Sequence, residues 1–226
     1  MYADLCVRTS DVEKTLNLGK DLNLAMIGFI VLIEELPKIE KLRSKRDWRQ
    51  RPMIALGTEI INQKPSQVGK TVSNLRNSAE IIVARGGTEE LNRAILETPK
   101  VDILINHELE GRCGINHILA KLAKKNNISI AFDLNRLMVS YRMGRIQEFS
   151  AMRETAKLVK RFRSPFILTS GAMDPWDMRS PSELIALGKQ LGFTESEAKK
   201  GLSTRIVKEN KKRLSGKWIM PGVEIE

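Results

Sequence analysis

The fold class that this sequence predicts is α/β: a single, irregular β/α barrel of the TIM type with an added C-terminal helix. Three observations lead there. Seven short apolar runs alternate with helical patterns from end to end, the β-then-α order that builds a parallel sheet. Most of those runs are continuous rather than alternating, as strands covered on both faces are. No Gly/Pro/Ser-rich linker, internal repeat or low-complexity tract interrupts the 226 residues. Regular eight-fold barrels usually take about 250 residues, so an irregular version is expected.

The elements follow in order. A first strand spans Ala3–Val7, and Ser10-Asp11-Val12-Glu13 then reads as a capping box, with a hydroxyl at the cap and Glu three residues on. A second strand covers Met26–Ile33, a basic helix with its exit fills 36–51, and a third strand covers Met53–Ile61. The fourth, Glu80–Ala84, runs into Arg85-Gly86-Gly87-Thr88. The fifth, sixth and seventh are Val101–Ile105, Ile128–Phe132 and Phe166–Thr169. Ser180-Pro181-Ser182-Glu183 opens a helix with Pro at its first position, where a missing N–H costs nothing. Thr194-Glu195-Ser196-Glu197 is a further capping box. The segment after Gly192 reads as an added long helix with a tail around Trp218 and Pro221. One domain, 1–226, is the economical division, with its core at about 3–192 and an extension over 193–226.

Charge narrows the function. The chain has 38 Lys and Arg against 27 Asp and Glu, a net charge of +11. Windows 36–51, 136–163 and 199–217 hold 23 of those basic residues and only 5 acidic ones, so the rest of the chain is acidic. Basic bands on an acidic body suggest a surface offered to a polyanion, where even basicity would mean only solubility. In 36–51, Lys41, Arg43, Lys45, Arg46, Arg49 and Arg51 have only Glu40 and Asp47 as nearby acids. A similar imbalance recurs around Arg142, Arg145, Arg153, Lys157, Lys160, Arg161 and Arg163. The aromatic content of 5% argues against a surface that works by stacking bases.

Cys6 and Cys113, the only cysteines, lie far apart in no zinc-like spacing and read as reduced thiols. Met1–Arg8 has no signal-peptide pattern. The longest apolar run, Leu24–Ile33, is about half of what spans a bilayer. A soluble cytoplasmic protein with no membrane partner is expected.

The chemistry-bearing motifs are few. Gly69-Lys70-Thr71 ends like a phosphate-binding loop, but position 64 is Lys where that loop needs Gly. Arg85-Gly86-Gly87-Thr88 reads as a tight turn into a helix, or as backbone amides facing an anion, and both can hold. His107 and His117, the only histidines, lack metal-ligand spacing, although Glu108 and Glu110 lie near. Asp133 ends the sixth strand, where barrel enzymes place catalytic groups, and can equally cap the next turn.

Three stretches together resemble a known family: Arg85-Gly86-Gly87 ahead of Asn92-Arg93-Ala94, Val101-Asp102-Ile103-Leu104 running through Gly114 to Ala123, and Thr169-Ser170-Gly171-Ala172-Met173 continuing to Leu184. The combination, from about Asp4 to Gly192, is similar to archaeal ribonuclease P protein component 3, the counterpart of the eukaryotic thirty-kilodalton subunit. That family's barrel is related to the polymerase and histidinol phosphatase (PHP) metallohydrolases, so the resemblance implies a PHP-like barrel. The PHP first strand reads Asp-Leu-His-x-His, whereas this chain has Asp4-Leu5-Cys6-Val7-Arg8. Where PHP enzymes carry Asp-Ala-His, this chain has Gly171-Ala172-Met173. An Arg in place of a ligand repels a metal, so the resemblance implies an enzyme scaffold with its metal site dismantled.

The implied function is a protein subunit of the ribonucleoprotein endonuclease that removes the 5′ leader of precursor tRNA. In that family the RNA performs the cleavage with magnesium, and the protein binds no cofactor or metal of its own. Implied partners are the ribonuclease P RNA, precursor tRNA and other protein subunits, especially a Pop-five-type one. Candidate RNA contacts are Arg85, Arg112, His117, Lys121 and Arg179, in or beside the family-like motifs, and Lys45, Arg46, Arg136, Arg142 and Arg205 from the charge bands. No catalytic residue is assigned to the polypeptide. The alternative is a PHP-type metal-dependent phosphoesterase using His107, Glu108 and Asp133.

Overall fold

The computed structural model describes residues 2–47, 50–61, 64–109, 111–214, 218–220 and 223–224, so Arg49, Glu110 and Pro221 lie outside the described residues. Strands β1 (Ala3–Val7), β2 (Met26–Val31), β3 (Met53–Ile60), β4 (Ile81–Arg85), β5 (Ile103–Ile105), β6 (Ser129–Asp133) and β7 (Phe166–Thr169) form one parallel sheet in sequence order. Helices α1 (Val12–Asp21), α2 (Leu36–Ser44), α3 (Val68–Leu75), α4 (Glu89–Leu96) and α5 (His117–Lys125) connect the first six strands. Then come α6 (Leu134–Val139), α7 (Met143–Phe162), α8 (Pro181–Gln190), α9 (Glu195–Gly201) and α10 (Arg205–Leu214). A short antiparallel pair, β8 (Trp218–Met220) and β9 (Val223–Glu224), follows. The result is a nearly closed TIM-like α/β barrel, as the alternation predicts.

Continuous apolar strands have a direct cause here. In β4, Ile81 and Val83 face the barrel interior while Ile82 and Ala84 face the helices; in β5, Ile103 and Ile105 point in and Leu104 points out. Both faces are dry, so neither tolerates the polar half of an alternating pattern. The outer layer joins the sheet to the helices through residues such as Phe132, Phe166 and Phe193, the last two stacked at 4.1 Å.

Only the seam between β1 and β7 lacks a ladder. A side chain closes it instead. Asp4, fully buried in β1, accepts the Thr169 hydroxyl at 2.5 Å, the Ser170 amide at 3.2 Å, and the Ser170 hydroxyl. Burial pushes the Asp4 carboxyl above its ordinary range, and these donors pull against the shift. Farther along, the Arg8 amide donates to Ala172 O at 2.7 Å.

The segment after Gly192 differs from the single long helix expected. It holds two helices, and the second closes the N-terminal end of the barrel. Ile206 and Val207 of α10 join the interior cluster with Ala3, Met26 and Ile81. Asn210 donates to Glu80 O at 2.7 Å and to the Asp102 carboxylate at 2.8 Å, which Arg76 also grips at 2.6 Å. Amphipathic spacing shows a helix but not that it folds back into a barrel, so this plug lies beyond the reach of local pattern.

Smaller differences have local causes. Helix α1 is capped by Asp11, whose side chain accepts from Lys14 N, so the Ser10 capping box does not form. The boxes at Ser180/Glu183 and Thr194/Glu197 do form. Strand β2 stops at Val31 because Leu32 turns outward, 62% exposed, into a 3-10 turn at Ile33–Glu35. Glu80 and Asp102 precede β4 and β5 rather than lying in them; their carboxylates accept the Leu56 and Ile82 amides at 2.9 and 2.8 Å. Cys6 and Cys113 are both free thiols. No helix among the described residues is long and apolar enough to cross a membrane.

Candidate nucleic-acid interface

Parallel barrels bring the C-terminal ends of all strands to one mouth, where functional side chains collect. Here that mouth is filled by arginine. Arg8, just past β1, donates from Nε to Glu59 Oε2 at 3.0 Å and sits 3.5 Å from Asp133 Oδ2 and from Gly171 O. The other Glu59 oxygen accepts Arg85 Nε at 2.9 Å. Burial works against the Arg8 charge, but Glu59 and Asp133 outweigh it and its pKa is raised. Burial lifts Asp133 to about 6 despite Arg8. Asp133 also caps α6 by accepting from Asn135 N at 2.9 Å, the turn-capping role expected of it. Gly171, at φ +62°, packs against that carboxylate so closely that an added Cβ would overlap Asp133 Oδ1.

A PHP-type metal does not fit these residues. Both Glu59 oxygens and one Asp133 oxygen face guanidinium groups, and Cys6 is fully buried with its thiol pKa well above the usual range. No group of three or more His, Cys, Asp or Glu among the described residues is disposed to hold a metal ion. His107 and Glu108, offered for the phosphoesterase alternative, are buried beside each other, 3.5 Å apart. Burial lowers the His107 pKa, and its ring packs edge-on to Phe132.

The Arg85-Gly86-Gly87-Thr88 turn serves the fold. Gly86 N donates to Ile105 O at 2.8 Å and Gly87 N to Asn92 Oδ1 at 3.0 Å, so neither amide is left facing an anion. Gly87 takes φ +152°, and Thr88 caps α4. Buried Asn92 then donates to His107 O and Gly114 O, both at 2.9 Å, tying the β4 and β5 loops together. Sequence reasoning used Asn92 as a motif residue without seeing this clamp.

The ten candidate RNA contacts fall on two ends of the barrel. Arg85, Arg112, His117, Arg136, Arg142 and Arg179 stand at the strands' C-terminal end, with Lys121 one turn down α5. Lys45, Arg46 and Arg205 stand at the opposite end. Lys45, Arg112, His117, Lys121, Arg142 and Arg205 are exposed; Arg46, Arg85, Arg136 and Arg179 are half-buried. Several are already engaged. Arg136 donates to Glu148 at 2.5 Å, Arg179 to Trp176 O and Met178 O, and Arg205 to Asn127 and Glu209. Arg112, Lys121 and Arg142 have no carboxylate partner among the described residues. Sequence reasoning missed Arg8 as the organiser of the mouth, having read it only as a lost ligand.

Comparison with known proteins agrees with this architecture. Ribonuclease P protein component 3 of Methanococcoides burtonii is 36% identical over 223 residues, covering 94% of this chain and 87% of that relative. The Methanosarcina mazei protein of the same name is 30% identical over 232 residues, covering 99% and 95%. A chain in a cryo-EM structure of archaeal ribonuclease P with mature tRNA shares the fold at TM-score 0.86 and 24% identity, over 99% of this chain and 97% of that one. The family described as RNase P subunit p30 matches residues 1–215, and the chain belongs to that family.

Proposed function

We propose that this ribonuclease P subunit works by binding rather than by bond chemistry. It neutralises phosphates of the catalytic RNA and precursor tRNA, while the RNA performs the 5′-leader cleavage with its own magnesium. The carrying observation is the mouth of the barrel. The carboxylates that would hold a metal are occupied by Arg8 and Arg85, and further cationic side chains line the rim outside them. Other protein subunits, a Pop-five-type one among them, share the surface, and the assembly belongs to the cytoplasm. The ten candidates enter as phosphate contacts on both ends of the barrel, with the exposed ones contributing most.

The test is reconstitution. Leaving the chain out of the holoenzyme should reduce pre-tRNA cleavage at low magnesium, and cleavage unaffected by omission would remove the subunit role. Within the rim, Arg85→Gln with Arg179→Gln should weaken RNA binding and make its salt dependence shallower by about 2 in slope. Unchanged cleavage and slope at moderate salt would remove those two from the interface. RNA-free hydrolysis of a nitrophenyl phosphate by metal-loaded protein would instead support the phosphoesterase.

A further inference from the structure

One large aromatic side chain at the strands' C-terminal end serves neither the core nor a cap. Trp176, on the turn that follows β7, is 67% exposed. Indoles are buried for most of their area in folded chains, and a surface Trp is the side chain most often found at the centre of a contact. Met173, at 63%, is the one other large apolar side chain that this turn exposes.

The turn is fixed on every side. Asp174 accepts from Trp176 N at 2.9 Å, and Asp177 accepts from Asp174 N at 3.1 Å and from Met173 N at 3.4 Å. Arg179 donates from Nη1 to Trp176 O at 2.9 Å and to Met178 O at 2.8 Å. Pro175 and Met178, both buried, anchor the backbone on either side of the indole. The Lys14 ammonium of α1 lies 4.6 Å from the ring centroid, a cation–π contact that orients the ring and takes one of its faces. At this exposure the other face is open to solvent. A flat ring held in place before its ligand arrives loses little freedom on binding.

The surroundings select the occupant. The carboxylates of Asp174 and Asp177 stand within two residues of the ring, and a phosphate is poorly placed beside them. A nucleobase is uncharged, and any base can stack on a flat π-face. We infer that the Trp176 indole is a stacking platform for one unpaired nucleobase, supplied by the ribonuclease P RNA or by precursor tRNA. The inference rests on the subunit reading above and adds to it a contact that involves no phosphate. It also stands beside the low aromatic content of the chain, since a single base needs a single ring. A protein segment is the weaker occupant. Trp176 and Met173 lie among Lys14, Asp174, Asp177 and Arg179, whereas the centre of a protein contact is depleted in charge.

The experiment compares Trp176→Ala and Trp176→Phe with wild type in two arms, each over a series of salt concentrations. In the first, the full chain with the other protein subunits in fixed excess is titrated with the ribonuclease P RNA. In the second, the assembled holoenzyme is titrated with precursor tRNA. In at least one arm Trp176→Ala should weaken binding about tenfold with the salt slope unchanged, because a stacked base releases no counterions. Trp176→Phe should keep most of the affinity, and the arm that responds names the source of the base. That RNA should also quench an indole emission that the Phe variant lacks. An affinity loss with a shallower slope makes the contact electrostatic and overturns the inference. So does unchanged affinity in both arms, an emission that RNA leaves unaltered, or a Phe variant as weak as Ala. A loss confined to RNA-free association with another subunit or a second copy overturns it as well. Trp176→Leu, apolar but not flat, takes the place of Ala if that variant melts early, with the same tenfold loss expected. The omission assay decides the subunit role independently of all of these.

Discussion

Arg8→Met is expected to destabilise the fold by about 3–5 kcal/mol in urea unfolding near neutral pH, because it removes a cation from a buried cluster, leaving Asp133 without a cationic partner and Glu59 with Arg85 alone. The Arg8 side chain is only 10% exposed, and those of Glu59 and Asp133 7% and 3%, so solvent screening relieves little of this. The loss should depend on pH in a definite direction. Asp133, at about 6 in the folded chain against an ordinary 3.8, binds its proton more tightly folded than unfolded. Its ionisation therefore costs stability as pH rises through that interval and costs nothing further above it. Without Arg8 the folded carboxyl moves higher still, so the gap between variant and wild type should widen from pH 4 upward and narrow in acid. Arg8→Lys should recover only part of the loss, since one ammonium cannot bridge Glu59, Asp133 and Gly171 O as a guanidinium does. A pH-independent deficit would assign the effect to packing and remove the electrostatic account.

Val207→Asp should be at least as damaging, above about 4 kcal/mol, since it places a carboxylate with no partner inside the barrel floor. Val207 is fully buried among the interior residues, and Ile206 beside it is 7% exposed. Ile206→Ala, which only leaves a void, should cost about 2 kcal/mol or more. Thermal unfolding gives the magnitudes, and limited proteolysis within α10 shows whether the floor has come away. A Val207→Asp protein within about 1 kcal/mol of wild type would mean that α10 is an appendage rather than part of the core.

These expectations separate what local sequence carries from what it does not. Seven strands were legible because each is buried on both faces, and that condition leaves an unbroken apolar run. The boxes at Ser180 and Thr194 were legible because capping is decided within four residues. Ser10 failed by one position, since Asp11 competes for the same amides. The role of Arg8 was not legible, because Glu59 and Asp133 reach it from strands 51 and 125 positions away in the chain. The two-ended distribution of the basic residues was hidden for a related reason. A charge band is contiguous in sequence, but a helix such as α7 carries it along the height of the barrel, and α2 delivers Lys45 and Arg46 to the end opposite Arg85.

The plug formed by α10 has a consequence for how the chain comes to be folded. The Ala3 amide in the first strand is bonded to Leu202 O, and the floor beneath that strand is Ile206 and Val207, so these contacts close over about two hundred residues. A nascent chain that has already released all seven strands still presents an open, apolar underside while it waits for them. During synthesis that underside is exposed to other hydrophobic surfaces until α10, which follows all seven barrel strands, arrives to seal it. Vectorial synthesis thus gives this barrel a long unsealed interval, and the seal is the helix whose outer face carries Arg205, Lys208 and Lys211, cationic and exposed.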